Sequence, residues 1–156
     1  MILGATASGK TGVSIEIAQE IECLARENGG SFAGVSGAEI ISADSRAIYQ
    51  GMELGTAAPT LEEQAGVPHH GISIVEPGER FTVADWKSFA EQKISEIRER
   101  GKLPMVVGGT GLYIDALVYD YGFSEQKKLD QSDRKEMCTN YLTIGIKWSP
   151  EQLRER

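Results

Sequence analysis

Several things are scarce in this sequence. Its 156 residues include two cysteines, Cys23 and Cys138, far apart and without CxxC spacing. Neither a disulfide framework nor a cysteine-built zinc site is encoded, and a reducing cytosol fits that usage. Apolar stretches such as Met105–Val107 fall far short of the ~20 residues a membrane-spanning helix needs. No charged, then apolar, then small-residue signal pattern begins the chain. Basic residues are the minority, 16 against 23 acidic, for a net charge of −7. That balance argues against charge-driven nucleic-acid binding by the whole surface, while leaving room for a local basic groove. Prolines number 5 against 18 glycines, a ratio that implies tight turns and close backbone approaches, not a low-complexity tail.

What is present suffices for one ordinary domain: with 40 % apolar and 25 % charged residues the chain can bury a core without staples. Val13, Ile17, Ile21 and Leu24 recur at helical spacing between Thr11 and Asn28, with Gly29-Gly30 as a C-cap pair, and Cys23 is expected to be buried on that helix. Residues 31–37 read as a loop, Glu39–Ala43 as a strand ending at Asp44, and Gly71–Val75 as another strand. Thr82-Val83-Ala84-Asp85 resembles a capping box, ahead of a helix whose apolar face is Val83, Trp86, Phe89, Ala90, the Lys93 stem, Ile94 and Ile97, ended by Gly101. Leu103–Val107 has the continuous apolar character of a buried parallel strand with Pro104 at its beginning, and Leu112–Val118 is a short helix. Tyr141–Lys147 reads as a last strand, and Ser149-Pro150 starts a helix that stops at Arg156. Only Met1–Leu3 precede the first Gly-rich element, so a chain cut short is expected. Strands alternating with helices predict a doubly wound parallel α/β sheet of P-loop type with helices on both faces, whose ligands sit outside the carboxyl ends of the strands. The expected division is a core over 1–118, a separate polar segment over 119–140, and a return strand and helix start over 141–156.

Gly4-Ala5-Thr6-Ala7-Ser8-Gly9-Lys10-Thr11 matches GxxxxGK[ST] and runs directly into the strongest helix. Each residue type has its reason. Glycines let amides turn inward around an anion, the helix N-terminus adds its positive end, Lys10 neutralises non-bridging oxygens, and the Thr11 hydroxyl can sit on Mg²⁺. Gly4, Thr6, Ala7, Ser8, Gly9, Lys10 and Thr11 are therefore the phosphate-binding candidates. Such a cradle serves a kinase, an NTPase or any enzyme whose leaving group is diphosphate. Asp44, closing the Ile40–Ala43 run, is the carboxylate at the ligand edge, although a turn or helix cap is the plainer use of an aspartate there. Thr110 stands at the same edge after its own strand, where a Gly-rich turn also accounts for it. His69 and His70, adjacent, cannot both face one metal from a strand, so loop hydrogen bonding is expected of them. Trp86 and Phe89 read as core, not as a base-stacking platform, and Arg98-Glu99-Arg100 as solvated surface.

Four ordered blocks, GATASGKT at Gly4–Thr11, ADSRAIYQGMELGTAAPT at Ala43–Thr60, GVPHH at Gly66–His70 and VVGGTGLYIDAL at Val106–Leu117, closely resemble the tRNA dimethylallyltransferases, also called tRNA isopentenyltransferases. The adenylate isopentenyltransferases of plants share weaker forms of the same blocks. The resemblance implies transfer of a dimethylallyl group from dimethylallyl diphosphate to N6 of the adenine 3′ of the tRNA anticodon, by a cytoplasmic, monomeric enzyme that uses Mg²⁺. It implies catalytic roles for Asp44, as base toward the amine, and for Thr110, hydrogen-bonded near the amine or the donor phosphates. Ser8, Lys10 and Thr11 would hold the diphosphate, and Asp44, Ser45, Arg46, Ala47 and Thr110 would meet the tRNA. In the family a helical insertion gripping the anticodon stem-loop follows this helix, in the place that residues 119–140 occupy here. A small-molecule P-loop kinase is the rival enzyme class.

Overall fold

Alternating strands and helices build one parallel sheet in the computed structural model, which describes residues 1–52, 56, 58–120 and 144–146. Strands β1 (Ile2–Gly4), β2 (Ala38–Ala43), β3 (His69–His70), β4 (Leu103–Gly108) and β5 (Ile144–Ile146) lie in the order β3-β2-β4-β1-β5. All four pairings are parallel. The β2–β4 ladder is the longest, running from Ala38 opposite Leu103 to Ala43 opposite Gly108. Pro104 is tolerated in an inner strand for a geometric reason. The Leu103 amide donates to Gly37 on the β2 side at 2.9 Å, so the missing N–H of Pro104 falls on the opposite side, where β1 pairing starts only at Val107.

The sheet buries both faces, as a doubly wound sheet must. Ile41, Ala43 and Val106 pack against α2 (Val83–Glu99) and α3 (Gly111–Val118), whose Trp86, Ala90, Ile94, Ile97, Tyr113 and Leu117 complete one core. Ile2, Ile40, Met105 and Val107 face the other way, onto Ile15 and Ala18 of α1 (Lys10–Glu27). The capping box at Thr82–Asp85 is complete in both directions, and α2 ends in a Schellman motif, with the Gly101 amide on Arg98 and the Lys102 amide on Ile97. Gly101 has φ +68°, the left-handed conformation that this ending requires. Among the described residues no helix is long and apolar enough to cross a membrane.

Three expectations are corrected. On α1 the buried residues are Ser14, Ile15, Ala18 and Ala25; Val13 is 36 % exposed, and Ile17, Ile21 and Leu24 lie at the flank. Small residues let the helix lie close on the sheet, so the buried stripe is rotated from the one the larger side chains trace. Cys23 is exposed in consequence. The strand expected at Gly71–Val75 is instead β3 at His69–His70. Gly71 at φ +81° and Ser73 at φ +50° break the extension, leaving only a bridge from Val75 to Tyr49. Arg98, Glu99 and Arg100 are exposed as expected, and Arg100 also reaches the buried Glu39 at 2.8 Å. Of the closing strand, Ile144–Ile146 pairs with β1; the helix start at Ser149 and most of 119–140 lie outside the described residues.

Candidate active site

The carboxyl ends of β1, β2 and β4 open onto one cavity of about 600 Å³. From the loop after β1 come Thr6, Ala7, Gly9, Lys10 and Thr11; from the end of β2 and beyond come Ser42, Asp44, Ser45, Arg46 and Ala47; from β4 come Val107, Gly108, Gly109 and Thr110. Gly4 closes β1 and Ser8 is buried beneath the loop, so neither forms cavity wall.

The loop geometry follows from its residues. Gly9 takes φ +86° at the N-cap of α1 and Ala7 takes φ +60°, so the chain reverses tightly and the Ser8 amide bonds back to Ala5 at 3.2 Å. Gly9 has no side chain with which to cap the helix, so the first-turn amides of α1 are left for an anion. The Lys10 ammonium donates to the Ala5 carbonyl across the loop. Burial lowers the Lys10 ammonium below the ordinary lysine value, and the Asp44 carboxylate opposes that shift. Thr11 brings a hydroxyl to the same cavity. Of the cavity lining, the Thr11 hydroxyl is an oxygen donor of the kind a Mg²⁺ takes, the rest of whose shell phosphate oxygens and water would complete. Among the described residues no group of three or more His, Cys, Asp or Glu side chains could hold a metal by itself.

Asp44 is half-buried, and its Oδ1 accepts the Arg46 amide at 2.9 Å, an Asx turn. The capping role open to this aspartate and its place at the ligand edge therefore coexist in one side chain. Thr110 accepts the Ser45 amide at 3.0 Å and gives its own amide to the Ala43 carbonyl at 3.1 Å. Gly108 permits that approach: a Cβ there would stand 2.3 Å from the Ala43 oxygen. The histidines go elsewhere and separately, His69 Nδ1 to the Val67 carbonyl at 2.8 Å and His70 Nε2 to Glu39 at 2.7 Å. Trp86 is fully buried, stacked on Tyr113 at 4.5 Å, with its indole N–H on the Ser42 carbonyl at 3.0 Å, which places it in the core as expected.

Sequence reasoning did not single out Ser42, Thr56, Ala58 or Pro59, which also line the cavity. The last three lie within the GTAAPT stretch of the second resembling block, which was the available signal. A second, more apolar cavity of about 580 Å³ adjoins the first, sharing Ser45, Arg46 and Thr56 and walled by Tyr49, Met52 and Pro77–Glu79.

Comparison with known proteins places the chain in a family. The family described as IPP transferase matches residues 47–156. A tRNA dimethylallyltransferase of Bacillus pumilus is 48 % identical over 156 residues, all of this chain and 43 % of that protein. The solved full-length tRNA isopentenylpyrophosphate transferase of Bacillus halodurans superposes with a TM-score of 0.68 at 40 % identity, over 90 % of this chain and 42 % of that one. A eukaryotic dimethylallyltransferase solved while acting on tRNA superposes with a TM-score of 0.66 at 29 % identity, over 84 % of this chain and 29 % of that one. The chain thus spans less than half the length of these relatives.

Proposed function

The chain belongs to the IPP transferase family, and from that membership we propose that it forms the donor-binding and catalytic core of an enzyme that prenylates tRNA. In this reading dimethylallyl diphosphate lies with its phosphates against the Thr6–Thr11 loop, and N6 of the adenine 3′ of the anticodon enters from the Asp44 side. The amine nitrogen attacks C1 of the donor, the C1–O bond breaks, diphosphate leaves, and the N6 proton passes to Asp44. An adenine amine is a weak nucleophile because its lone pair is delocalised into the ring, so a positioned base is required as the C–N bond forms. Lys10 and the first-turn amides of α1 stabilise the charge that gathers on the departing oxygens. Mg²⁺, held by Thr11 and the diphosphate, would supply further charge neutralisation. Arg46, with Ser45 and Ala47, meets the anticodon loop, whose stacked adenine must be flipped into the site. Residues 119–140 stand where a segment gripping the stem-loop belongs, and the reading carries with it a cytoplasmic, monomeric enzyme.

One observation carries the proposal: an acid and a lysine, Asp44 and Lys10, face each other in one cavity lined by the Thr6–Thr11 loop. The test is incubation of the full-length protein with dimethylallyl diphosphate, Mg²⁺ and unmodified tRNA. Prenylated adenosine is the expected product, abolished by Asp44→Ala with donor binding nearly intact. Phosphate transfer from ATP to a small acceptor would overturn the reading, and preference for free AMP would move it to the adenylate isopentenyltransferases.

A further inference from the structure

Thr110 touches the chain on both sides of Asp44. Its backbone N–H donates to the carbonyl of Ala43 at 3.1 Å, and its hydroxyl oxygen accepts the amide of Ser45 at 3.0 Å. These are the residues immediately before and after the aspartate. The hydroxyl also lies 3.3 Å from Ser45 Oγ, so it is engaged on that residue twice. This use of the oxygen is not the default one. Thr110 occupies the N-cap of α3, where a threonine ordinarily accepts from an amide of its own helix, yet α3 has no side-chain cap. The local bond is forgone for one that ties β4 to β2 across 65 positions of sequence. Gly108 belongs to the same device, since any side chain there would push the two strand ends apart.

We propose that Thr110 is a positioning residue for Asp44. It fixes the peptide units on either side of the aspartate, and Arg46 fixes the carboxylate through Oδ1, so that Oδ2 is the oxygen presented to the amine proton. Thr110 acts through Asp44, not on the donor. The inference rests on the reading of Asp44 as the base, and the experiment separates the two.

Single-turnover transfer to an anticodon stem-loop is measured in the full-length protein for Thr110→Val and Thr110→Ser, each in the native and the Asp44→Asn background, together with dimethylallyl diphosphate affinity and hydrogen exchange at the Ser45 amide. Thr110→Val is expected to slow transfer about a hundredfold, the scale of a misplaced catalytic group, and to move the acid limb of the pH–rate profile. Thr110→Ser restores most of the rate. In the Asp44→Asn background Thr110→Val costs nothing further, donor affinity stays within about twofold, and the Ser45 amide loses protection. An equal cost of Thr110→Val in the Asp44→Asn background would overturn the proposal, because the threonine then acts on substrate itself. A tenfold loss of donor affinity would overturn it in favour of a diphosphate contact. If Asp44→Asn leaves the rate unchanged, the base assignment fails instead, and the brace itself is then judged by Ser45 exchange: unchanged protection in Thr110→Val overturns it.

Discussion

Single residues show most directly how this chain converts composition into a site. Lys10 loses part of its hydration by burial, which depresses its pKa, and its ammonium bonds to a loop carbonyl and looks across at Asp44. Such a cation is poised for an anion that displaces those weak partners. Lys10→Met is therefore expected to weaken dimethylallyl diphosphate about 10- to 100-fold, by the loss of charge-assisted hydrogen bonds, with little change in melting temperature. Titration calorimetry of the two proteins checks it; equal affinities would remove Lys10 from the cradle. Gly108 makes the opposite case, a residue whose value lies in having no side chain. A Cβ 2.3 Å from the Ala43 oxygen cannot be absorbed by a rotamer change, since the obstacle is backbone. Gly108→Ala should lower the unfolding free energy by about 2 kcal/mol or more, read by denaturant titration. The tight loop ahead of α1 was legible because its glycine spacing is encoded along the chain. The partnership of Thr110 with residues 43 and 45 was not, because nothing in a linear pattern records which strand ends lie side by side.

At the scale of elements, legibility follows the strength of local signals. The capping box of α2 could be read from four letters because both of its hydrogen bonds close within one turn. Thr82→Ala should accordingly cost about 1 kcal/mol, seen as a lower thermal midpoint, and Thr82→Ser should restore most of it. The same helix showed its buried face plainly, Trp86, Ile94 and Ile97 being large and set at helical spacing. The face of α1 misled because its most buried positions include Ser14, Ala18 and Ala25, small residues that a hydrophobicity pattern underweights. Close packing of helix on sheet selects for size there, and Ser14 answers for its hydroxyl by bonding to the Thr11 carbonyl at 2.8 Å. The third strand was misplaced for a related reason. Residues 71–75 alternate as a strand should, but two positive φ values end the extension, and the residues that pair, His69 and His70, carry no apolar alternation at all. Their place is set by backbone bonds such as the Ile40 amide on the Pro68 carbonyl at 2.9 Å, which belong to tertiary structure.

At the scale of the whole described sheet, charged side chains gather at both of its ends. At the carboxyl end stand Lys10, Asp44 and Arg46 around the open cavity. At the other end Glu39, 4 % exposed, stands second in the β2 ladder amid His70 at 2.7 Å, Arg100 at 2.8 Å and Lys102 at 3.1 Å. Burial alone would raise the Glu39 pKa, but the hydrogen bonds from Arg100, His70 and Lys102 outweigh it and hold the carboxyl at about 2. The cluster ties the start of β2 to β3 and to the segment joining α2 to β4, which spaces the strands whose far ends carry Asp44 and Thr110. A carboxyl whose folded pKa lies below its unfolded value of 4.5 contributes stability that is complete above pH 4.5 and is lost as the pH falls toward 2. Glu39→Gln is thus expected to destabilise the protein at neutral pH by about 2 kcal/mol, leaving Arg100 and Lys102 without their shared counter-charge. The difference between the two proteins should shrink steadily between pH 4.5 and pH 2, because acid removes from the native protein what the substitution has already removed. Denaturant titrations of both proteins at neutral and acid pH measure that convergence. Two parallel stability curves would mean that the Glu39 charge is not what joins the strands at this end of the sheet.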